Sequence, residues 1–274
     1  MADCSSCASA GNCTKDKDSC GIVNNPANNI SKVLGIMSGK GGVGKSTVTC
    51  MLAKDLARRG FKVGIMDADI TGPSIPRLMG LQGQMAYSDG TNIIPVVSKE
   101  GIKIISLNLL LKDESEPVVW RGSLISSAVK QFWEEVLWGE LDYLLIDMPP
   151  GTGDVALTVM QSTPITGVVM VSVPQDMVSM IVAKAVNMAK KMDIPVLGVV
   201  ENMSYISCPE CNTKISFHEE TGAHDFLKDM GLTLLGELPM TRGIAKMTRG
   251  EDSLDNEKLF APIAKNVMDK IEEL

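Results

Sequence analysis

Short apolar runs alternate with stretches of helical periodicity along the chain from Lys32 onward. The apolar runs predict seven strands, at residues 32–37, 62–67, 102–107, 141–147, 167–173, 195–201 and 232–238. The helical pattern predicts six helices, at residues 46–59, 124–137, 154–161, 177–191, 221–230 and 257–273. The strands are apolar at nearly every position, which indicates burial on both faces of a sheet. The pattern therefore predicts an α/β fold with a mostly parallel sheet flanked by helices, whose ligands bind beyond the carboxyl ends of the strands.

Composition narrows the class of protein. The chain has 274 residues, 45% of them hydrophobic, which suits one large α/β domain. We assign that domain to residues 31–274 and expect residues 1–30 to be a flexible, cysteine-rich extension. The net charge of -7 argues against a nucleic-acid partner. No apolar run approaches the roughly 18 residues of a membrane span and no signal-peptide pattern opens the sequence, so we expect a cytoplasmic protein without a membrane partner.

The most specific motif is a glycine-rich run between the first predicted strand and the first predicted helix. It fits the pattern Gly-x-x-x-x-Gly-Lys-Ser/Thr in the structural context that makes such a match credible. Glycines let backbone N–H groups point at phosphate oxygens, and the helix N-terminus adds partial positive charge. We expect Lys45 to neutralise the β and γ phosphates and Ser46 to ligate Mg²⁺. The predicted nucleotide-binding residues of this run are Gly39, Lys40, Gly41, Gly42, Val43, Gly44, Lys45, Ser46 and Thr47.

Carboxylates stand at two predicted strand ends. Asp67 and Asp69 follow the second strand, and Asp147 ends the fourth. Asp147 fits a Walker B aspartate, which holds Mg²⁺ directly or through water. Ser46, Asp67 and Asp147 are therefore the predicted magnesium ligands. Helix capping is the alternative role for Asp69 and Asp147.

A second lysine, Lys40, follows the first glycine of the motif. The run therefore resembles the deviant Walker A loop of the P-loop ATPases that include MinD, ParA, the arsenical pump ATPase and the nitrogenase iron protein. That resemblance implies that Lys40 reaches the partner's nucleotide across a homodimer, that Asp69 orients the attacking water and that Asn202 lies against the adenine ring. Lys40, Lys45 and Asp69 are thus the predicted catalytic residues. A solvated loop lysine is the alternative for Lys40.

Two cysteines, Cys208 and Cys211, form a Cys-x-x-Cys pair shortly after the sixth predicted strand. The pair alone is ambiguous, because a redox dithiol, half of a zinc site and half of an iron-sulfur site all fit it. A complete zinc site would add His218 and His224, the only histidines in the chain, at a looser spacing than zinc fingers use.

Four further motifs accompany this pair in a fixed order. They are Asp69-Ile70-Thr71-Gly72-Pro73-Ser74, Trp120-Arg121-Gly122, Met148-Pro149-Pro150-Gly151-Thr152-Gly153-Asp154 and Glu201-Asn202-Met203-Ser204. Together with Cys208-Pro209-x-Cys211 they resemble the Mrp/ApbC/Nbp-type iron-sulfur cluster carrier ATPases, from about Ser31 to the C-terminus. The resemblance implies a slow ATPase whose homodimer holds a [4Fe-4S] cluster between Cys208 and Cys211 of both subunits and transfers it to apo iron-sulfur proteins. Ser123 departs from this family, which commonly has proline there.

The N-terminal segment carries Cys4, Cys7, Cys13 and Cys20 among polar residues. Four thiolates match the ligand count of a [4Fe-4S] centre, and the first three resemble the cluster-binding extension of the Nbp-type scaffolds. The fourth cysteine follows the triplet, whereas the eukaryotic scaffolds place it well before. Zinc on the same thiolates and a disordered tail are the alternatives.

Two remaining expectations concern other parts of the chain. The Asn-rich stretch at residues 23–29 is predicted to be a flexible linker, and Cys50 to be a buried core residue.

Two other functions compete with cluster transfer: a zinc-stabilised ATPase, and a MinD- or ParA-like positioning ATPase. The second would carry a basic amphipathic C-terminal helix, but this chain ends on an acidic one.

Overall fold

The structure of the protein is a computed structural model. It describes residues 22–70, 72–111, 122–174, 180–208, 210–211, 213–216, 223–251 and 253–274. Several predicted features lie outside the described residues, namely Cys4, Cys7, Cys13, Cys20, Trp120, Arg121 and His218. The N-terminal metal site and the flexible extension therefore stay predictions.

The central sheet confirms the predicted α/β architecture. Its strands are β1 (Asn29–Ser38), β2 (Val63–Asp67), β5 (Val96–Val97), β6 (Lys103–Ile105), β7 (Glu140–Asp147), β8 (Gly167–Ser172), β9 (Val196–Glu201) and β12 (Leu234–Glu237). They lie in the order β12-β9-β8-β1-β7-β2-β6-β5. All neighbouring strands pair in parallel except β5 and β6, which are antiparallel at one edge.

Eight helices surround this sheet within the described part of the chain. They are α1 (Lys45–Arg58), α2 (Ile75–Leu78), α3 (Gly122–Glu134), α4 (Asp154–Ser162), α5 (Met180–Lys191), α6 (Ala223–Asp229), α7 (Arg242–Lys246) and α8 (Leu254–Glu272). Helix α8 begins three residues earlier than predicted, because the Ser253 hydroxyl accepts a hydrogen bond from Asn256 N and caps it. None of the described helices is both long enough and apolar enough to cross a lipid bilayer.

Two short antiparallel hairpins were not predicted from the sequence. One pairs β3 (Tyr87–Ser88) with β4 (Ile93–Ile94), and the other pairs β10 (Tyr205–Ser207) with β11 (Lys214–Ser216). Strands of two or three residues are too short to show a hydrophobic period, which is why the sequence pattern missed them. The second hairpin leads into and out of the Cys-x-x-Cys loop.

The core lies on both faces of β1, β7 and β8, as the apolar strand pattern predicted. Leu34, Ile36, Leu145 and Val169 are completely buried. Because these strands cannot shift without exposing that surface, the polar residues at their carboxyl ends are held at fixed positions along one edge of the sheet.

The Asn-rich stretch is packed against the domain, so its prediction as a flexible linker is wrong. The Asn25 Nδ2 atom donates to Asn92 Oδ1 at 2.9 Å, and Asn28 Nδ2 donates to the backbone oxygen of Val136 at 2.9 Å. Trp133 Nε1 also donates to Asn24 Oδ1 at 3.0 Å. The stretch was predicted to be a linker because it is rich in polar amide side chains. In the structure these side chains form hydrogen bonds with backbone and side-chain groups of other elements.

Candidate functional site

The glycine-rich loop connects the carboxyl end of β1 to the first residue of α1. Gly42 and Gly44 have φ angles of 82° and 85°, in the left-handed region that favours glycine. A side chain at Gly44 would also collide with its surroundings, since a Cβ atom there would lie 2.1 Å from Asn202 Nδ2. Backbone conformation and close packing therefore both require glycine at position 44.

The Lys45 side chain, at the start of α1, points into a group of carboxylates. Its Nζ atom lies 2.7 Å from Asp147 Oδ2 and 3.7 Å from Asp69 Oδ2. The ammonium is buried, and none of its contacts with described residues has the geometry of a hydrogen bond. Its N–H donors thus fit phosphate oxygens, as the sequence motif predicts.

Asp147, at the end of β7, is completely buried and accepts two hydroxyl hydrogen bonds. Ser46 Oγ donates to Oδ2 at 2.5 Å, and Thr49 Oγ1 donates to Oδ1 at 2.8 Å. The structure therefore brings Ser46 and Asp147 together, and both supply the oxygen ligands that Mg²⁺ prefers. Sequence reasoning missed Thr49, although its position three residues after Ser46 places it on the same helix face.

Asp67 lies beside Asp147, because β2 and β7 pair in parallel with these two residues in register. Ser106 Oγ donates to Asp67 Oδ2 at 2.9 Å, and the backbone N–H of Asp69 donates to Oδ1 at 3.2 Å. Burial and the neighbouring Asp147 carboxylate raise the pKa of Asp67 to about 8, against the smaller opposing effects of Lys45 and Ser106. Sequence reasoning missed Ser106, whose signal is its place directly after the neighbouring strand β6.

A cavity of about 380 Å³ opens above these groups. It is lined by Ser38, Gly41, Gly42, Gly44, Lys45, Ser46, Thr47, Asp69, Gly72, Ser74, Arg77, Leu78, Pro150 and Thr248. The left-handed glycines, the Lys45 ammonium and the Ser46 and Asp147 oxygens fit a nucleoside triphosphate with Mg²⁺. Arg77 comes from α2 and Thr248 from the 3₁₀ turn Met247–Arg249, and neither belongs to a motif that the sequence analysis recognised.

Lys40 lies on the exposed part of the same loop. The Ser38 hydroxyl donates to the backbone oxygen of Lys40 at 3.0 Å and so holds the loop's entry. Gly39 packs closely against α5, since a Cβ atom there would lie 2.7 Å from Ile181 Cγ2. This side of the loop therefore meets the start of α5, where Met180 and Ile181 are exposed apolar residues.

Asn202 is buried at the end of β9 and contacts the glycine-rich loop. Its Nδ2 atom donates to the backbone oxygen of Val43 at 2.9 Å. Met203, the next residue, has a φ of 54°, which is uncommon for a residue with a side chain. This turn directs the chain from strand β9 into strand β10. The contact of Asn202 with adenine stays a prediction.

Cys208 and Cys211 lie at the tip of the β10–β11 hairpin, where Cys211 is exposed and Cys208 is half-buried. Cys208 N donates to the backbone oxygen of Thr213 at 3.0 Å, and Cys211 Sγ lies 3.0 Å from Thr213 Oγ1. Hydrogen bonds with Thr213 lower the pKa of the Cys211 thiol the most, and a hydrogen bond with Cys208 lowers it further. The pair is therefore two free thiols at the surface, with a shared hydrogen-bonding partner.

Cys50 differs from this pair in its location, and the pKa of its thiol is shifted in the opposite direction to that of Cys211. It lies in α1 and is completely buried, and burial together with the Asp147 carboxylate raises the pKa of its thiol. The prediction that Cys50 is a core residue is confirmed. A neutral, inaccessible thiol is a packing group and no metal ligand.

The parallel sheet, the glycine-rich loop before α1 and the aspartates at neighbouring strand ends define a P-loop NTPase. Residues 29–273 match a family model of the ParA group described as NUBPL iron-transfer P-loop NTPase. The chain belongs to this family of iron-transfer P-loop NTPases.

Named relatives agree with this assignment. An iron-sulfur cluster carrier protein of Clostridium perfringens is 46% identical over 97% of this chain and 96% of its own length. The corresponding protein of Methanocaldococcus jannaschii is 43% identical, over 89% of this chain and 87% of its own. An iron-sulfur cluster transfer protein NUBPL of Dictyostelium discoideum is 38% identical, over 89% of this chain and 76% of its own.

Solved structures agree on the fold. A nucleotide-binding protein from Archaeoglobus fulgidus in complex with ADP has a TM-score of 0.73 and 40% identity, covering 86% of this chain and 91% of its own. The cell division ATPase MinD of Pyrococcus furiosus has a TM-score of 0.61 at 20% identity, covering 87% of this chain and 99% of its own, and so shares the fold alone.

Proposed function

We propose that the protein is a homodimeric, slowly hydrolysing ATPase that assembles a [4Fe-4S] cluster on Cys208 and Cys211 and transfers it to apo iron-sulfur proteins. One observation carries this proposal. The cysteine pair, of which Cys211 is exposed, lies on a hairpin that follows Asn202 within a few residues, and Asn202 holds the nucleotide loop by a hydrogen bond to Val43. The names of the relatives, iron-sulfur cluster carrier and transfer proteins, support the same function.

ATP hydrolysis in this proposal uses the carboxylates around Lys45. Lys45 binds the β and γ phosphates, and Ser46, Asp67 and Asp147 supply oxygens for Mg²⁺, which neutralises phosphate charge when bound. Asp69 lies on the cavity wall and orients the attacking water.

Homodimerisation supplies the last catalytic cation. Lys40 is exposed on the rim of the loop, and Met180 and Ile181 beside it are 72% and 44% exposed. Such an apolar surface next to a lysine suits contact with a second copy of this chain, because burial of apolar residues stabilises an interface. Lys40 then reaches the partner's nucleotide. Arginine fingers in related chemistry accelerate hydrolysis by about 10³ to 10⁵.

The cluster is the cargo of the protein. Two thiolates from each subunit give the four ligands of a [4Fe-4S] cluster. Exposure of Cys211 leaves the cargo open to an apo-protein's own thiols, which suits transfer. Cys4, Cys7, Cys13 and Cys20 are proposed to hold a second cluster in the N-terminal extension.

Anaerobic reconstitution tests the cluster assignment. The full chain, treated with iron and sulfide, should gain the absorbance and iron content of one bridging [4Fe-4S] cluster per dimer in addition to any N-terminal cluster. Cys208→Ser with Cys211→Ser should lose the bridging cluster while ATP binding is unchanged, and Cys50→Ala is the matched control that keeps it. A colourless wild-type protein that retains stoichiometric zinc would contradict the proposal, as would unchanged cluster content in the double variant.

The Lys40→Ala variant tests the role of Lys40 in trans. We expect its ATPase rate to fall far more than its affinity for ATP, because the lysine acts on the partner's phosphates during hydrolysis. The control is Lys99→Ala, because Lys99 is exposed and lies outside the cavity. Mixing Lys40→Ala with a Lys45→Ala chain should restore part of the rate if the lysine acts across the dimer. An unchanged rate in Lys40→Ala would remove its proposed role.

A further inference from the structure

We propose that Thr213 is a positioning residue for the cluster: its hydroxyl holds the Cys211 sulfur in the ligating orientation and donates a hydrogen bond to that sulfur when the cluster is bound. This inference rests on the proposed function, because it requires iron at Cys208 and Cys211. Thr213 stands two residues after Cys211, outside the Cys-x-x-Cys motif.

Two contacts tie Thr213 to both cysteines. Its backbone oxygen accepts a hydrogen bond from Cys208 N at 3.0 Å, which closes the loop between the two thiols. Its Oγ1 atom lies 3.0 Å from Cys211 Sγ, within the range of a hydrogen bond to sulfur. The main chain of Thr213 thus fixes the first cysteine and its side chain fixes the second.

The rest of the hairpin keeps Thr213 in place. Lys214, directly after it, begins β11 and pairs with Ser207 across the hairpin. Lys214 Nζ donates to Glu237 Oε2 of β12 at 2.5 Å and lies 4.7 Å from the centre of the Tyr205 ring. These contacts join the exposed hairpin to the edge of the central sheet, so the Thr213 hydroxyl is presented to Cys211 from a fixed backbone.

The protonation state of a ligating sulfur determines which atom donates the hydrogen bond in this contact. Iron binds the thiolate, which has no proton to donate, so in the loaded state the Thr213 hydroxyl must be the hydrogen-bond donor and the sulfur the acceptor. A hydrogen bond to a ligating sulfur withdraws charge from it and stabilises the more negative, reduced cluster, since such bonds are among the factors that set cluster potentials. Thr213 should therefore favour metal capture and raise the reduction potential of the bridging cluster.

Three variants test this role. Thr213→Val removes the hydroxyl and keeps the side chain's shape, Thr213→Ser keeps the hydroxyl, and Ser207→Ala is an exposed control on the same hairpin. The first readout is Co²⁺ binding to the apo-protein, followed by the sulfur-to-cobalt charge-transfer band. All variants are made in a chain whose Cys4, Cys7, Cys13 and Cys20 are replaced by serine, so that the N-terminal thiols contribute neither metal binding nor signal. We expect Thr213→Val to weaken Co²⁺ binding by about tenfold, as for the loss of one hydrogen bond to a charged group. Thr213→Ser and Ser207→Ala should stay within about twofold of wild type.

The second readout is the midpoint potential of the reconstituted cluster. It should shift to more negative values in Thr213→Val and return towards wild type in Thr213→Ser. A hydroxyl that only supports the hairpin would not move the potential in this way. Equal cobalt affinity and equal potential in Thr213→Val and wild type would overturn the inference, and so would a Thr213→Ser variant as weak as Thr213→Val.

Failure of the proposed function would look different. If the wild-type chain bound no bridging cluster while Cys208→Ser and Cys211→Ser also changed nothing, the cluster assignment itself would be wrong. If wild type bound the cluster and all Thr213 variants behaved alike, only the role of Thr213 would be wrong. ATP binding by each variant confirms that the domain is folded.

Discussion

The two candidate sites of this molecule are built in opposite ways. The nucleotide cradle comprises the loop Gly39–Thr47 and the strand-end carboxylates Asp67, Asp69 and Asp147. Its charged residues Lys45, Asp67 and Asp147 are buried, and the cradle rests on the central strands. The cysteine hairpin, which comprises β10, β11 and Cys208 to Thr213, extends from the edge of the sheet and is mostly exposed. One site is fixed by the core, and the other is held by a few hydrogen bonds and one ion pair.

Because of this difference, substitutions in the two sites should affect the stability of the fold to different extents. Charges and left-handed glycines in the nucleotide cradle belong to the folded core, so changing them should affect both nucleotide binding and the free energy of unfolding. The exposed thiols carry no such structural cost, so changing them should remove the cargo site alone. Four changes, in order of expected effect on the free energy of unfolding, test this contrast in the apo-protein.

Removal of the Lys45 charge should have the largest effect. Lys45→Met leaves the buried Asp147 carboxylate without its partner at 2.7 Å, and loss of one member of a buried ion pair costs about 3–5 kcal/mol. Nucleotide binding should be lost as well. The control is Lys265→Met, which breaks an exposed ion pair with Asp269 and should cost less than about 1 kcal/mol. Urea unfolding measures both, and equal losses would refute the contrast.

A methyl group in the glycine-rich loop should have the next largest effect. Gly44→Ala combines a φ of 85° with a collision against Asn202 Nδ2, whereas Gly42→Ala has a similar φ and no atom within 4 Å. The φ alone costs about 1–2 kcal/mol, and we expect Gly44→Ala to lose more. Adding Asn202→Ala should bring Gly44→Ala close to the Gly42→Ala value. No difference between the two glycine variants in urea unfolding would mean that Asn202 does not restrict this loop.

The pH dependence of stability should reveal Asp67. The pKa of Asp67 is about 8 in the native state and near 4 in an unfolded chain. Between pH 4 and pH 8 the native state therefore holds a proton that the unfolded state has released. The contribution of Asp67 is therefore fully present below pH 4 and is lost as the pH rises towards 8, by up to about 1.4 kcal/mol per unit. Urea unfolding at pH 6 and 7 should show this loss in wild type and not in Asp67→Asn. Parallel slopes in the two proteins would contradict it.

Changes to the cysteine hairpin should have the smallest effect on stability. Cys208→Ser with Cys211→Ser replaces surface thiols and should alter the free energy of unfolding by no more than about 0.5 kcal/mol. Cys50→Ser makes the same chemical change in a completely buried position and should cost about 1–3 kcal/mol. A large loss from the surface pair would show that the hairpin is part of the cooperative core.

The two sites also differ in how far the sequence could predict them. Gly39 to Thr47 are contiguous, and their phosphate-binding geometry is local, so the motif and its strand–loop–helix context were enough. Ser106 and Thr49 were missed because their roles arise from contacts between elements distant in sequence. Thr213 was missed because it stands outside the Cys-x-x-Cys motif, although it is close to Cys211 in sequence. The Asn-rich stretch at residues 23–29 was misread for the same reason, since its amides bond to residues distant in sequence.

The sequence by itself determined the parallel α/β fold, the phosphate loop and the presence of two thiols after β9, because apolar runs and short motifs are local properties of the chain. The tertiary structure decided which groups meet. It placed Asp67 next to Asp147 through strand register, which raises the pKa of Asp67. It also brought Asn202 onto the nucleotide loop. Charge interactions and hydrogen bonds depend on distances of a few ångströms, and only the packed sheet sets those distances.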